Sequence, residues 1–223
     1  MTIPGETATD PAADQRANQR IDRPAVEQPS GRPTGCRTLQ ASWRATALTG
    51  LRGDVLDVGA GAGGSLDFLG QHTRPVLLEP HARSRRSLAR STADRPNTRV
   101  LAGRAENIPL DDASMDAVIC SAVLCSVDDQ RRALAEIHRV LRPGGRLVFL
   151  EHVAAPEGSW LRLGQRCYAP FSRLLDRGCH PARDTEAALA DSALTIAELD
   201  RFSSRGPFGS SIPLITGVVV RAR

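Results

Sequence analysis

Two carboxylates bracket a run of glycines in the first half of the chain. Asp57 stands two residues before Gly59, and the run Gly59-Ala60-Gly61-Ala62-Gly63-Gly64 follows. Glu79 comes about 20 residues after the first glycine, the distance at which a carboxylate closes the next strand of a nucleotide-binding turn. Glycines let a backbone turn sharply and approach a ligand with no Cβ in the way. A carboxylate in the position of Glu79 can accept hydrogen bonds from both hydroxyls of a ribose. This spacing predicts an adenosine-bearing ligand held over a strand and a loop that opens a helix, whose N-terminus would add exposed N–H groups.

Gly59, Gly61 and Gly64 also satisfy G-x-G-x-x-G, the dinucleotide fingerprint. Asp57 argues against that reading, because a carboxylate there would repel a pyrophosphate and suits an ammonium group. Asp-x-Gly-x-Gly-x-Gly, from Asp57 to Gly63, fits the amino-acid end of S-adenosylmethionine (SAM) better than it fits NAD. The chain also ends in two apparent strands, where a dehydrogenase would continue into a second domain.

Other chemistry is sparse. All 29 basic residues are arginine, so Schiff-base chemistry and a P-loop lysine are excluded. The net charge of +4 is mild, the arginines are scattered, and aromatics make up 4%. These features give no nucleic-acid-binding surface. The cysteines are Cys36, Cys120, Cys125, Cys167 and Cys179. Their number is odd and no pair forms C-x-x-C, which argues against a disulfide framework and against a metal site. Cys125 and Cys179 read as packing residues. His152 directly follows a strand and is a candidate base, with a structural role as its alternative. Arg183 could favour an anionic acceptor or make a structural ion pair.

The elements that must position these groups alternate. Buried strands are predicted over 54–58, 76–79, 98–101, 115–120 and 146–151, with helices over 39–51, 65–71, 82–90 and 128–141. The last has Leu134, Ile137, Val140 and Leu141 on one face and Asp128 as N-cap. Alternation of this kind marks a parallel sheet with right-handed crossovers. After Glu151 come helices over 159–175 and 184–191, then strands over 194–201 and 214–221 with no helix between them, which pair antiparallel most easily. Trp160 and Tyr168 read as core residues of a cap. Residues 1–37 are polar, with isolated apolar positions, and are expected to form a disordered arm before a single domain over 38–223.

The stretches VLDVGAGAGGSL (55–66), VLLEP (76–80), AENIPLDDASMDAVICSAVLCSV (105–127) and VLRPGGRLVFLEHV (140–153) resemble class I SAM-dependent methyltransferases of the type 11 group. EHVAAPEGSW, a downstream glutamine and Gly178-Cys179-x-x-x-Arg183-x-Thr185 are similar to the branch whose animal members methylate small alkyl thiols. The resemblance implies an α/β Rossmann-like sheet of seven strands, mostly parallel with an antiparallel C-terminal pair and helices on both faces. It implies that Asp57 and the backbone of Gly59, Ala60, Gly61 and Gly63 hold the methionine part of SAM. Glu79 would hold the ribose, Pro80 would lie beside the adenine, and Ala105 and Glu106 would lie at its edge. Cys120 and Ser121 would face the sulfonium, and Leu124 to Ser126 would border the acceptor. Arg104 stands where many relatives carry an aspartate toward the adenine amino group, and Glu106 is the residue available to replace it.

The reading is a SAM-dependent transfer of a methyl group to a small molecule, with a hydrophobic thiol as the candidate acceptor, beneath a cap formed by residues 159–191. The alternatives are an O-, N- or C-methyltransferase for a lipid, quinone or secondary metabolite, and a SAM-binding protein without catalysis. A small-molecule acceptor is the expected partner, with no nucleic acid; the oligomeric state is open. No leader and no run of 18 apolar residues is apparent, so a cytoplasmic protein with no integral membrane segment is expected.

Overall fold

The computed structural model describes residues 36–175, 178–205 and 211–223. The arm expected over 1–37 lies outside them, apart from its last two residues, which already open a helix. The order of elements is α1 (Cys36–Ala47), β1 (Gly53–Val58), β2 (Thr73–Leu78), α2 (Ala82–Ser91), β3 (Arg99–Leu101), β4 (Met115–Ser121) and α3 (Gln130–Val140). There follow β5 (Leu141–His152), α4 (Trp160–Leu175), α5 (Thr185–Ala190), β6 (Thr195–Arg205) and β7 (Ser211–Val220).

The seven strands form one sheet in the order β3-β2-β1-β4-β5-β7-β6. Pairing is parallel from β3 through β5, and β7 runs antiparallel to both β5 and β6. The chain moves outward from β1 to β3 and then returns to place β4 on the other side of β1. The crevice beyond the C-terminal ends of β1 and β4 is therefore the topological switch point, where open α/β sheets bind ligands.

Strand alternation divides the core into two layers. Val55, Ala117, Ile119, Val148 and Leu150 pack with Trp43, Ala47, Leu48 and Leu51, which belong to α1 and the turn after it. Their neighbours Leu56, Val58, Val118, Cys120, Leu147 and Phe149 face the other way, against Ala133, Leu134, Ile137 and Val140 of α3. Helices on both faces, and the mixed sheet, agree with the sequence expectation.

Four local expectations are corrected. The segment after the glycine loop forms only a one-turn 3-10 helix, Leu66–Phe68, instead of a helix over 65–71. With β2 starting at Thr73, too few residues remain to propagate a helix, so no helix dipole supports the loop. The N-cap of α3 is Asp129, whose side chain accepts from Arg132 N; the Asp128 N–H is instead held by Glu106. Pro143-Gly144-Gly145 ends α3 but lies inside β5, with Gly144 at φ 78°. Trp160 and Tyr168 are 88% and 52% exposed rather than buried in a cap. Helical periodicity records an apolar face, not whether another element covers it. The buried anchor of α4 is polar: Gln165 accepts from Ala155 N at 2.7 Å and donates to Val153 O at 3.1 Å.

Candidate active site

A cavity of about 650 Å³ opens at the switch point. Of the predicted residues, Gly59, Glu79, Pro80, Ala105, Glu106, Ser121 and His152 line it. Gln40 from α1 and Ile212 from β7 add walls that the sequence did not announce. From the 159–191 segment, Gly178 and Cys179 contribute.

The glycine loop is built as its composition requires. Gly59 has φ 65°, and a Cβ there would meet Val123 Cγ2 at 2.9 Å. Gly61 has φ 58°, and its N–H donates to Glu79 Oε2 at 2.9 Å. Ala60 donates its N–H to Leu78 O, and Gly63 donates to Ala60 O. Glu79 Oε1 accepts from His81 N at 2.9 Å. The Glu79 carboxylate is thus buried at the end of β2, bound to the loop on one side and lining the cavity on the other.

Asp57 lies deeper, at the end of β1, and is 3% exposed. Burial pushes its carboxyl up to about 7; the Ser65 hydroxyl and the Arg44 charge pull it down, and Glu79 pushes it up further. Arg44 reaches the same place from α1. Its Nη2 donates to Ser121 Oγ at 3.4 Å, and a Cβ on Gly64 would touch its guanidinium at 3.4 Å. Burial lowers the proton affinity of Arg44, and Asp57 raises it. Asp57 Oδ2 and Arg44 Nε are both buried without a hydrogen-bond partner. Such atoms are costly unless a ligand satisfies them. A carboxylate and a guanidinium in one buried place complement the ammonium and carboxylate of an amino acid, so the residues present fit the methionine end of SAM. Arg44 was missed in the sequence because a helical arginine among 29 carries no local signal.

At the adenine side, Glu106 is committed to protein. Its Oε1 accepts from Asp128 N at 2.7 Å and Asp129 N at 3.4 Å, and its Oε2 is 3.5 Å from Arg104 Nε. Burial pushes this carboxyl up, but backbone N–H groups and Arg104 outweigh it and hold the carboxyl below the usual range. Arg104 also pairs with Asp128. Arg104, Glu106 and Asp128 thus form an ion network on this rim, and Glu106 holds the loop after β4.

Asp57, Ala60, Gly61 and Gly63 do not line the cavity themselves, although Gly61 bonds the lining Glu79, and Cys120 and Arg183 sit elsewhere. The Cys120 side chain is fully buried in the α3-facing core and does not line the cavity; alternation sends Cys120 inward where Ser121 faces the ligand side. Arg183 also lies outside the cavity. Its guanidinium donates to the carbonyls of Leu124 at 3.4 Å, Val127 and Asp128 at 3.3 Å. These bonds clamp the loop after β4.

That loop has a second anchor. Glu151, fully buried on β5, accepts from Val123 N and Leu124 N through Oε1 at 2.9 Å each, and from Cys125 N through Oε2 at 3.1 Å. Burial raises its pKa against these three donors and the charge of His152. A lone glutamate directly after the apolar run Leu147 to Leu150 was the available signal. Beside it, three groups converge at the acceptor end. His152 Nδ1 lies 3.7 Å from Cys125 Sγ and 3.9 Å from Cys179 Sγ, and the two sulfurs are 3.8 Å apart.

Comparisons with known proteins bear on the family and the fold. A family described as a methyltransferase domain, of the type 11 group, matches residues 56–149. Human thiol S-methyltransferase TMT1B is 36% identical over 160 residues, covering 69% of this chain and 66% of the relative. Human thiol S-methyltransferase TMT1A is 33% identical over 171 residues, covering 75% and 70%. The chain thus spans just under two thirds of the length of TMT1B. Among solved structures, geranyl diphosphate C-methyltransferase from Streptomyces coelicolor, crystallised with S-adenosyl-L-homocysteine, superposes with a TM-score of 0.65 at 19% identity. That match covers 83% of this chain and 76% of the other, and it shows the shared fold. By sheet order, glycine loop and relatives together, the chain belongs to the class I SAM-dependent methyltransferase family.

Proposed function

We propose that this protein transfers the methyl group of SAM to a small hydrophobic thiol. The observation that carries the reading is the acceptor end of the cavity. Val123, Val127 and Ile212 give it apolar walls, and the polar groups beside them are the imidazole of His152, the thiols of Cys125 and Cys179 and the hydroxyl of Ser126, with no charged carboxylate or amine among these four. Such an end suits a soft, weakly hydrated nucleophile better than a sugar or a polar amine. The thiol S-methyltransferases among the relatives support the same acceptor class.

SAM supplies an electrophilic methyl group on a sulfonium. Asp57 and Arg44 would bind its amino-acid end, Glu79 its ribose hydroxyls, and the Gly59 and Gly61 backbone would pass beneath it. The protein's remaining work is to exclude water, to align the acceptor in line with the methyl–sulfur bond, and to lower the acceptor's hold on its proton. A free thiol has a pKa near ~8.5, so a modest local effect produces a reactive thiolate. His152 is the residue to which we assign that effect. Among the described residues no helix is long and apolar enough to cross a membrane.

The test is turnover of radiolabelled SAM with a matched panel of an alkyl thiol, a phenol, an amine and a lipid alcohol. Methylated thiol as the main product is expected. Turnover on the phenol or amine with none on any thiol overturns the acceptor assignment.

A further inference from the structure

The three side chains at the acceptor end are metal-ligating types, and they come from three separate segments. Cys125 follows β4, His152 ends β5 and Cys179 lies in the loop after α4. Among the described residues this is the group of three potential ligands whose donor atoms converge, all within 4.8 Å of one another. The absence of C-x-x-C excludes only ligands close in sequence, and these are 27 residues or more apart.

We propose that Cys125 Sγ, His152 Nδ1 and Cys179 Sγ form a three-ligand site for one soft divalent cation of the zinc class, with its fourth position open to the cavity. The edge lengths carry the inference. A tetrahedral zinc with Zn–S near ~2.3 Å and Zn–N near ~2.0–2.1 Å needs S···S about 3.8 Å and S···N about 3.6 Å. The measured edges are 3.8, 3.7 and 3.9 Å. Two thiolates and a dication sum to zero charge, which a buried place tolerates far better than a lone thiolate. All three residues line the cavity, so a fourth ligand can come from the acceptor. Three protein ligands with one open position is the arrangement of a catalytic site, not of a closed structural one.

The rest of the fold holds the triangle without help from an ion. His180 N donates to Cys125 O at 2.8 Å, which fastens the Cys179 segment to the loop after β4. Gly178 has φ 91°, and a Cβ there would press on Ser126 O at 3.2 Å. Thr185 Oγ accepts from Gln130 Nε2 at 3.0 Å and donates to His152 O at 3.4 Å. Arg183 and Glu151 hold the loop that carries Cys125. Cation sites of this kind depend on such outer support.

The inference deepens the thiol reading and rests on it for its chemical use. Cation binding releases the two cysteine protons to solvent. The acceptor thiol enters the fourth position and loses its S–H proton to solvent. Its sulfur then attacks the methyl carbon: the new S–CH3 bond forms, the sulfonium C–S bond breaks, and that electron pair stays on the departing sulfur. The product thioether is neutral, a poorer ligand than a thiolate, and leaves. His152 thereby lowers the acceptor's proton affinity as a cation ligand.

The test uses the full chain, freed of metal with a chelator under reducing conditions and titrated with Co2+ and then with Zn2+. Expected is one Co2+ per chain, with thiolate-to-cobalt charge-transfer absorption in the near ultraviolet, tetrahedral bands in the visible, and loss of both on adding Zn2+. Cys125→Ser and Cys179→Ser should each remove about half of the charge-transfer intensity, and His152→Ala should weaken binding at least tenfold. SAM binding by calorimetry and far-ultraviolet circular dichroism confirm that the variants remain folded. Absence of charge-transfer absorption in the wild type, or identical titrations by folded Cys→Ser variants, overturns the site. A Cys125–Cys179 disulfide with no bound metal in protein isolated without reductant also overturns it. An alkyl thiol should shift the cobalt spectrum, and removing the metal should abolish thiol turnover. Full thiol turnover by metal-free protein removes the metal from the chemistry and leaves the thiol reading standing. An intact cobalt spectrum with turnover only on a phenol or amine removes the thiol reading and leaves the site.

Discussion

Asp57 offers the sharpest test of the cofactor site, because the structure makes it costly before SAM arrives. Its carboxyl is lifted from an ordinary 3.8 to about 7. Below about pH 4 the folded and unfolded chains are both protonated at this group, and nothing is lost. As pH rises from 4 to 7 the unfolded chain ionises and the folded one resists, so stability falls by about 1.4 kcal/mol per pH unit. Above pH 7 the loss levels off at about 4 kcal/mol. Asp57→Asn removes the penalty and weakens the Ser65 contact, worth roughly 1 kcal/mol. The variant should therefore be more stable than wild type at pH 8 by about 3 kcal/mol, a rise in Tm on the order of 6–12 °C for a domain of this size. At pH 5 the two should nearly coincide.

SAM affinity should move the other way. The ammonium group needs the ionised carboxylate, so wild-type Kd should rise about tenfold for each pH unit below 7. In Asp57→Asn the Kd should be weaker at pH 8 and nearly independent of pH. Scanning calorimetry from pH 5 to 8, with isothermal titration over the same range, reads both effects. A wild-type Kd that stays flat down to pH 5.5, together with an Asn variant that is no more stable at pH 8, would refute both the burial argument and the assignment of Asp57 to the ammonium.

Glu79→Ala should weaken SAM by about 1.5–3 kcal/mol, since it removes a charged acceptor and also strands the Gly61 and His81 N–H groups; an unchanged Kd by titration calorimetry contradicts the ribose role. Gly61→Val should abolish SAM binding in a chain that stays folded by circular dichroism, because φ 58° disfavours a β-branched residue and the side chain enters the ligand's path. Glu151→Gln replaces a carboxylate accepting three backbone N–H bonds with one oxygen and an amide donor, so Tm should fall by an amount matching about 2–3 kcal/mol; a Tm within a degree of wild type shows that the loop does not depend on this anchor. Arg183→Ala should raise the KM for the acceptor and leave SAM affinity nearly unchanged, and Arg183→Lys should recover little of it, since one ammonium cannot span three carbonyls. Equal loss of SAM binding in Arg183→Ala would show that the residue serves the cofactor instead.

The fold was legible in the sequence because its signals are local. Apolar runs at strand length, the spacing of Leu134, Ile137 and Val140, and the absence of a helix between the last two strands suffice to set the mixed sheet. The cofactor loop was legible for the same reason: Asp57 to Gly63 is one contiguous stretch, and its positive φ angles at Gly59, Gly61 and Gly63 need glycine. What the sequence could not convey were relations between distant segments. Arg44 comes within electrostatic reach of Asp57 only because α1 packs on the sheet and its guanidinium reaches Ser121, and Glu151 finds its three N–H donors 26–28 residues earlier. Trp160 and Tyr168 had the right period, yet exposure depends on which neighbour arrives, and among the described residues none buries them. The Cys125, His152 and Cys179 triangle is the clearest case. Each residue alone reads as packing or as a lone base, and only the closing of β4, β5 and the loop after α4 brings two sulfurs and a nitrogen to ligand spacing.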